Sequence, residues 1–507
     1  MPVVEFPPGI TTQLSKTAKI ANWYDGNLVR WDDGVTLRPV SGWEKINYPT
    51  PFASRVRAMH KWISQSGILW TAYLCEAHVY VDTGNSLTDI TPIGGMAPLP
   101  ELVAGYGEYE YGDYITDDPN LYGTPRVGPS HMQKFSPAWS INNWGEDLLV
   151  MTNYDGRLLR WKMSDPGGKL VAVPNAPIAN RQFVVTPQHH CILFQMEGNF
   201  ADFGWCSEED IEDWDFANPY NTAGMYTLDP FSPIVAAHSS AAGVAVYTPA
   251  MMHFVDFIGL PYIYRQRPIA KVPIPISAAA VSSIPEGIMW ISIEGFWIYN
   301  GSTANVIVCP VWDVISTRMD FQRTVRESHS VNLLSRGEIW WFWVDPTLGL
   351  ECTRYVALDY RANVWMSGYL KRTCGVTFAN DLFPLMSDGF SVYKHETGFT
   401  YPGALHMPYL ESQSINVLGG EVWNTIVDII PEIAGDRRAV AFSLAMTNDR
   451  TTNVTKYSRK RTANEHGKVD IRETARDVRL RIDMIQNSDW QTVGPIIFNI
   501  KPRGKKR

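Results

Sequence analysis

The chain has 507 residues, too many for one ordinary hydrophobic core, so several domains or one large repetitive domain are expected. Charged residues make up only 19 % and aromatics 12 %, with 19 Trp, 38 Gly and 34 Pro, a balance that favours short strands and tight turns over long helices. The formal charge of −8 divides into +5 from residue 401 onward and −13 before it, which is not the basic footprint of a nucleic-acid reader.

The opening "MPVVEFPPGITTQ" lacks the basic and apolar regions of a signal peptide, and no apolar run reaches bilayer length. Synthesis in a cytosol, with no membrane insertion by this chain, is therefore expected. Residues 1–17 read as an N-terminal arm. The first structured signal is "WDDGVTLRPVSGWEKI" (31–46), two short strands around an Asp-Gly turn.

One pattern then returns: a strand of bulky apolar residues, a turn with Gly and Asp, Glu or Asn, and an aromatic return strand. It occurs at 67–92, 143–163, 188–207, 241–259, 285–301 and 335–365, with a weaker copy at 382–398. The spacing is that of four-stranded propeller blades. In "IMWISIEGFWIYNG" (288–301) Met289, Ile291 and Ile293 alternate with Trp290 and Ser292 before the Glu294-Gly295 turn, and Phe296 to Tyr299 return almost continuously apolar. Strands apolar on both faces need cover on both, which sheets stacked around a ring provide. Helical spacing is scarce; "SEEDIEDW" (207–214) reads as one turn capped by Ser207. The fold expected is all-β: a β-propeller of six or seven blades over 18–400, its last blade completed by the ribbon at 20–46.

Between the first two copies lies a Gly/Tyr-rich insertion at about 96–136, whose stretch 104–130 has almost no aliphatic residue. Its tyrosines, Tyr106, Tyr109, Tyr111, Tyr114 and Tyr122, give contact area at low entropic cost and are candidate partner contacts. Beyond residue 405 evenly spaced strands such as "VWNTIVDIIPEI" and "DVRLRIDM" predict a C-terminal β-sandwich over 405–507. Val478, Leu480, Ile482 and Met484 would face its core and Arg479, Arg481 and Asp483 the opposite side. The basic tail adds Lys505, Lys506 and Arg507 as contact candidates.

No constellation supports chemistry. The six cysteines are scattered and read as buried small hydrophobes; the acidic run from Glu208 to Asp215 lacks a calcium-loop pattern and reads as a solvated turn. Trp205 and Trp214 read as packing anchors. His189 and His190, adjacent on a strand, would face opposite ways and cannot share an ion. No catalytic, metal or cofactor residue is nominated, and the chain is expected not to be an enzyme.

Four segments carry a resemblance: "DDGVTLRPVSGWEKI"; "LYGTPR" before "WSINNWGEDLLVMTNYDGRLLRW"; "FGWCSEEDIEDWDFANPYNTAGMYTLDPFSPIVAA"; and "VDIRETARDVRLRI…DWQTVGPIIFNIKPRG". In these the chain resembles the tail hub or nozzle proteins of short-tailed bacteriophages, also called packaged-DNA stabilisation proteins. The resemblance implies a virion structural protein, assembled in the host cytoplasm, whose copies form a ring, a hexamer, below the portal or its adaptor. Tail fibres, tailspikes or tip proteins would lie below or around it. DNA would pass through the bore without specific binding and be held there until ejection. Two rival readings are a glycan-binding tail propeller using Trp205 or Trp214, and a propeller glycoside hydrolase.

Overall fold

The computed structural model describes residues 3–12, 21–83, 86–99, 137–378, 382–415, 423–447, 456–492 and 495–504. Seven four-stranded antiparallel sheets follow one another as up-and-down meanders. Blade 1 is Val56–Ile63, Leu69–Cys75, Val79–Asp82 and Leu87–Asp89. Blades 2 to 6 span 139–172, 182–227, 236–270, 281–307 and 329–369. Blade 7 has Cys374–Val376, Leu385–Ser387 and Val392–His395, with Trp43–Ile46 as its fourth strand. The first strands of successive blades adjoin one another, and that of blade 7 adjoins that of blade 1, so the ring is closed. The blade number is seven.

Each of the seven repeated hairpins contains the second and third strands of one blade. The period of two explains why. In Gly287–Ser292, Met289 and Ile291 enter a core shared with blade 6, while Ile288 and Trp290 enter one shared with blade 4. Alternate residues thus feed two inter-blade cores, and neither face of the strand tolerates water. Blade 3 repeats the arrangement, with Ile192 and Phe194 facing blade 4 and Cys191 and Leu193 facing blade 2.

The opening ribbon does two jobs, where the sequence predicts one. Trp43–Ile46 closes blade 7, pairing Trp43 with His395 and Ile46 with Val392. Trp43 is buried, donates Nε1–H to the Pro402 carbonyl at 2.9 Å and stacks on His395 with ring centroids 5.0 Å apart. The Arg372 guanidinium lies 4.9 Å over Trp43 and donates to His395 Nε2 at 2.9 and 3.0 Å. Burial, then the charges of Arg372 and Arg30, push the His395 pKa well down, so the ring is a neutral acceptor.

The rest of the ribbon leaves the propeller. Trp23–Asn27 pairs with Tyr409–Ser412, and the hairpin of Val29–Asp32 and Thr36–Pro39 pairs through Leu37 with Trp490–Thr492. Val3–Val4 pairs with Ile496–Gly504. A self-contained sandwich over 405–507 is therefore replaced by a module of three sheets built from both ends of the chain. Its strand Asp477–Met484 follows the expected alternation: Val478, Leu480, Ile482 and Met484 are buried with the core, while Arg481 pairs with Glu411 at 3.0 Å and Asp483 at 3.1 Å.

Two further differences are local. "SEEDIEDW" is a turn with a Ser207–Asp210 bridge, not a helix. Instead, two seven-residue helices, Trp312–Arg318 and Phe321–Glu327, link blades 5 and 6. Asp320 caps the second by accepting from Arg323 N–H at 3.1 Å.

The module is fixed to the ring by a buried ion network. Arg30, 1 % exposed, donates to Glu396 at 2.8 and 2.9 Å and to Glu338 at 3.1 Å. Glu338 starts the second strand of blade 6 and Glu396 follows the third strand of blade 7. Burial pushes the Glu338 carboxyl up against the pull of Arg30. Glu396 is also buried, but Arg30 holds it below its ordinary value. The Tyr355 hydroxyl accepts from Leu28 N–H at 2.9 Å beside this network.

Two outcomes follow. Arg30→Met should destabilise the fold by about 3–5 kcal/mol, because buried Glu338 loses its cation and buried Glu396 keeps only Arg336, at 3.1 Å. In chemical denaturation that loss should shrink as pH is lowered from about 7 to about 5, since protonation relieves Glu338, whose carboxyl burial already pushes up. Trp43→Ala, which empties the closing strand's main anchor, should cost about 3–5 kcal/mol by the same measurement.

Candidate functional site

The tyrosines of the insertion, Tyr106, Tyr109, Tyr111, Tyr114 and Tyr122, and the tail residues Lys505, Lys506 and Arg507 lie outside the described residues. The two flanks of the insertion are described, and they locate a site. The insertion links the fourth strand of blade 1 to the first strand of blade 2. In an up-and-down ring every such link emerges on one axial face, together with every turn between second and third strands. One of those turns, in blade 2, holds both flanks: Ala97 N–H donates to Asp155 Oδ2 at 2.9 Å, and Ala138 N–H donates to Asn153 Oδ1 at 2.9 Å. Asp155 also pairs with Arg157 at 2.5 Å. Partial burial of Asp155 is outweighed by Arg157 and the Ala97 amide, so its carboxyl stays below its ordinary value.

On the same face, at the start of the first strand of blade 1, Arg57 gathers three carboxylates. It donates to Glu76 at 2.6 and 3.0 Å, to Glu351 at 2.8 and 3.3 Å, and also to Glu327. Glu327 ends the second helix, and Glu351 sits in the turn between the second and third strands of blade 6. The cluster therefore reaches from blade 6, past blade 7, to blade 1. The Arg57 guanidinium also lies 5.7 Å from the centre of Trp139, the first residue of blade 2's first strand. Trp139 Nε1–H donates to the Tyr154 hydroxyl at 3.1 Å, which donates to the Glu76 carbonyl at 2.7 Å. Arg55, more exposed, adds a contact to Glu351 at 3.3 Å.

The charges are not equivalent. Burial, with the Glu351 charge beside it, pushes Glu327 up to about 7 despite Arg57, whereas Arg57 holds Glu351 below its ordinary value against its own burial. Neighbouring His329 is pushed by burial down to about 4 and is neutral at pH 7. The arrangement is an electrostatic clasp with one carboxyl poised near neutrality. It holds no nucleophile paired with a base. Among the described residues no group of three or more His, Cys, Asp or Glu is placed to hold a metal ion. Nothing in the sequence pattern marks this cluster, because its members come from positions 55, 57, 76, 327 and 351 and meet only when the ring closes.

The other residues singled out from sequence are placed as follows. Trp205 and Trp214 are buried, donating Nε1–H to the Thr222 and Ile211 carbonyls at 2.7 and 2.6 Å, and offer no sugar platform. Glu208, Glu209 and Asp210 are exposed, as a solvated turn requires. His189 lies in a turn with φ 54° and not on a strand. His190 is buried with its Nδ1 3.2 Å from the Tyr264 hydroxyl. All six cysteines are buried and unbridged.

No family model and no curated protein matches the chain. Solved structures do match. The AfRom2 CNH domain is 8 % identical, covering 71 % of this chain and 99 % of its own, with a TM-score of 0.36. The Neurospora crassa Pan2 WD40 domain is 8 % identical, covering 71 % and 97 %, at 0.39. The Myceliophteria thermophila Cps50 β-propeller domain is 9 % identical, covering 68 % and 98 %, at 0.37. The assignment of a propeller here rests on its own seven sheets and their cyclic order.

The poised carboxyl gives a signed pH response. The Glu327 pKa stands above its ordinary 4.5, so its ionisation opposes folding increasingly as pH rises from about 4.5 to about 7. Glu327→Gln should therefore stabilise the protein by about 1–3 kcal/mol at pH 8 and by almost nothing at about pH 5. Melting curves of the two proteins across that range check it.

Proposed function

We propose that this chain is a structural wall of a short phage tail: a hub or nozzle whose copies form a ring that continues the DNA channel below the portal and retains the packaged genome until ejection. The single observation that carries this reading is the fate of residues 29–46, which include "DDGVTLRPVSGWEKI", one of the four segments that carry the resemblance. They close the propeller and build the terminal module in one stroke. Such a segment joins ring and module into one body, as a wall that transmits load requires. The acidic balance of the first 400 residues supports it, since phosphates are repelled and DNA slides without sticking. The insertion leaves from the axial face that carries the Arg57 clasp, where both of its flanks are anchored, and there it would meet an adaptor, fibre or tip protein.

Electron cryomicroscopy of phage particles carrying this chain tests the reading: the expected result is a ring of copies on the tail axis with DNA or an open bore at its centre. Copies arranged as peripheral spikes, away from the axis, would overturn it. Deleting residues 104–126 should leave the melting temperature of the free protein within about 2 °C while lowering infectivity at least about tenfold. Aggregated, insoluble protein would show instead that the loop belongs to the core.

A further inference from the structure

We propose that copies of this chain dock head to tail, the Leu260–Tyr262 turn of one propeller seating in an aromatic groove of the terminal module of the next. The turn joins Met252–Gly259 and Ile263–Ala270, the longest hairpin of the ring. Leu260 is 80 % exposed and Tyr262 68 %, with Phe257 and Ile258 also exposed below them. Tyr226, from the outer strand of blade 3, lines one shallow depression with Ile258, Tyr262 and Tyr264. Scattered apolar residues are normal on a surface; a projecting apolar turn continuous with an apolar patch signals a contact.

The groove lies between the strands that both chain ends contribute. Phe6, Trp23, Trp31, Val35, Leu37 and Ile496 line a cavity of about 250 Å³. Phe6 stacks on Trp23 at 4.4 Å, and Trp23, Trp31 and Leu37 form a buried floor. Val35, 64 % exposed, stands at its mouth. A cavity of about 150 Å³ suffices for a six-membered aromatic ring, so this one accepts a leucyl side chain with its neighbouring ring. The charges agree as well. Glu5 is exposed at the groove, while Arg265, three residues beyond Tyr262, is largely exposed and shares only one edge with Asp256 at 3.1 Å.

Placement decides the partner. The knob is the link between the third and fourth strands of blade 4. The groove abuts the same link in blade 6, where a Cβ on Gly34 would come 2.9 Å from Ala362. Links of this type all emerge on one axial face, opposite the Arg57 clasp, so knob and groove share a level and lie two blades, about 100°, apart around the axis. A knob and a groove that far apart, engaged one-sidedly, make a heterologous contact, the kind that propagates from copy to copy until it closes; reciprocal engagement would instead close as a two-fold pair. The turn is then the central anchor of a wider interface, since stable contacts bury roughly 1,200–2,000 Å². Closure into a ring rests on the reading above; the pairwise contact does not.

The test uses the full chain, whose six native thiols are all buried. Leu260→Cys and Val35→Cys proteins are oxidised mildly, separately and mixed. The expected result is a covalent dimer containing one of each, formed only in the mixture. Mass photometry and sedimentation should show oligomers of the unmodified protein, and Leu260→Asp should lower their fraction at least about tenfold with an unchanged melting temperature. Oligomers that survive Leu260→Asp, with no mixed dimer, would overturn the contact while leaving the ring standing. Leu260→Cys bonding to itself would overturn it in favour of a two-fold pairing. A chain that stays monomeric up to about 100 µM without cross-linking would assign the groove to a different protein, with the ring judged separately on the particle.

Discussion

A guanidinium removed from water requires its counter-charges to be fixed in advance, and Arg30 draws its two carboxylates from different blades. Glu338 cannot reach it unless blade 6 is formed, nor Glu396 unless blade 7 is. The strand that carries Arg30 belongs to neither blade; it belongs to the terminal module. One buried charge thus makes three parts of the molecule mutually dependent. The hydrogen bond from Leu28 to Tyr355 and the stack of Trp43 on His395 extend the same dependence on either side of it. Buried ion pairs add little net stability over a well-packed apolar substitute, but a half-formed one is heavily penalised. Arg30 therefore acts on register more than on depth of stability, excluding arrangements in which the module sits elsewhere on the ring.

The ring was legible in the sequence because its signal is local. Hairpins such as 288–301 carry their period and their turn within about fourteen residues, and residues apolar on both faces admit few alternatives to stacked sheets. Closure of the last blade by an early strand was legible in kind, since Trp43 and Ile46 share that pattern. The division of labour inside 20–46 was not, because nothing local tells Trp31 and Leu37 from blade residues; the two pair with each other, and the strand partner that draws them into the module, Thr492, lies at the far end of the chain. The helices before blade 6 leave no mark in the sequence for a related reason. Each has only two turns, and Ile315 and Val325 are too few buried residues to draw a helical stripe. Candidate contacts fared differently. The tyrosines and the basic tail stand out by composition alone and fall on residues that the structure does not describe. The Arg57 clasp, which composition does not reveal, is assembled entirely by topology.

The two axial faces divide the chemistry between them. One carries ions, with Arg57 and its three glutamates beside the anchored flanks of the insertion. The other carries apolar surface, in the blade 4 turn and the groove against blade 6. Polar contacts that tolerate rearrangement and apolar contacts that resist it are thereby kept apart. A propeller suits this separation, because an up-and-down ring sends its two kinds of link to opposite ends.

The pairing of Trp43–Ile46 with Val392–His395 also governs when the molecule can become itself. As the polypeptide leaves the ribosome, this strand must wait for most of the remainder before it finds a neighbour; the indole of Trp43 reaches across 359 residues to Pro402. Until then the nascent ring is an open arc with unsatisfied edges, a state of high contact order that invites chaperones and punishes early termination. Loss of even the last hundred codons would spare that closure yet leave Val3–Val4, Trp23–Asn27 and Thr36–Pro39 homeless.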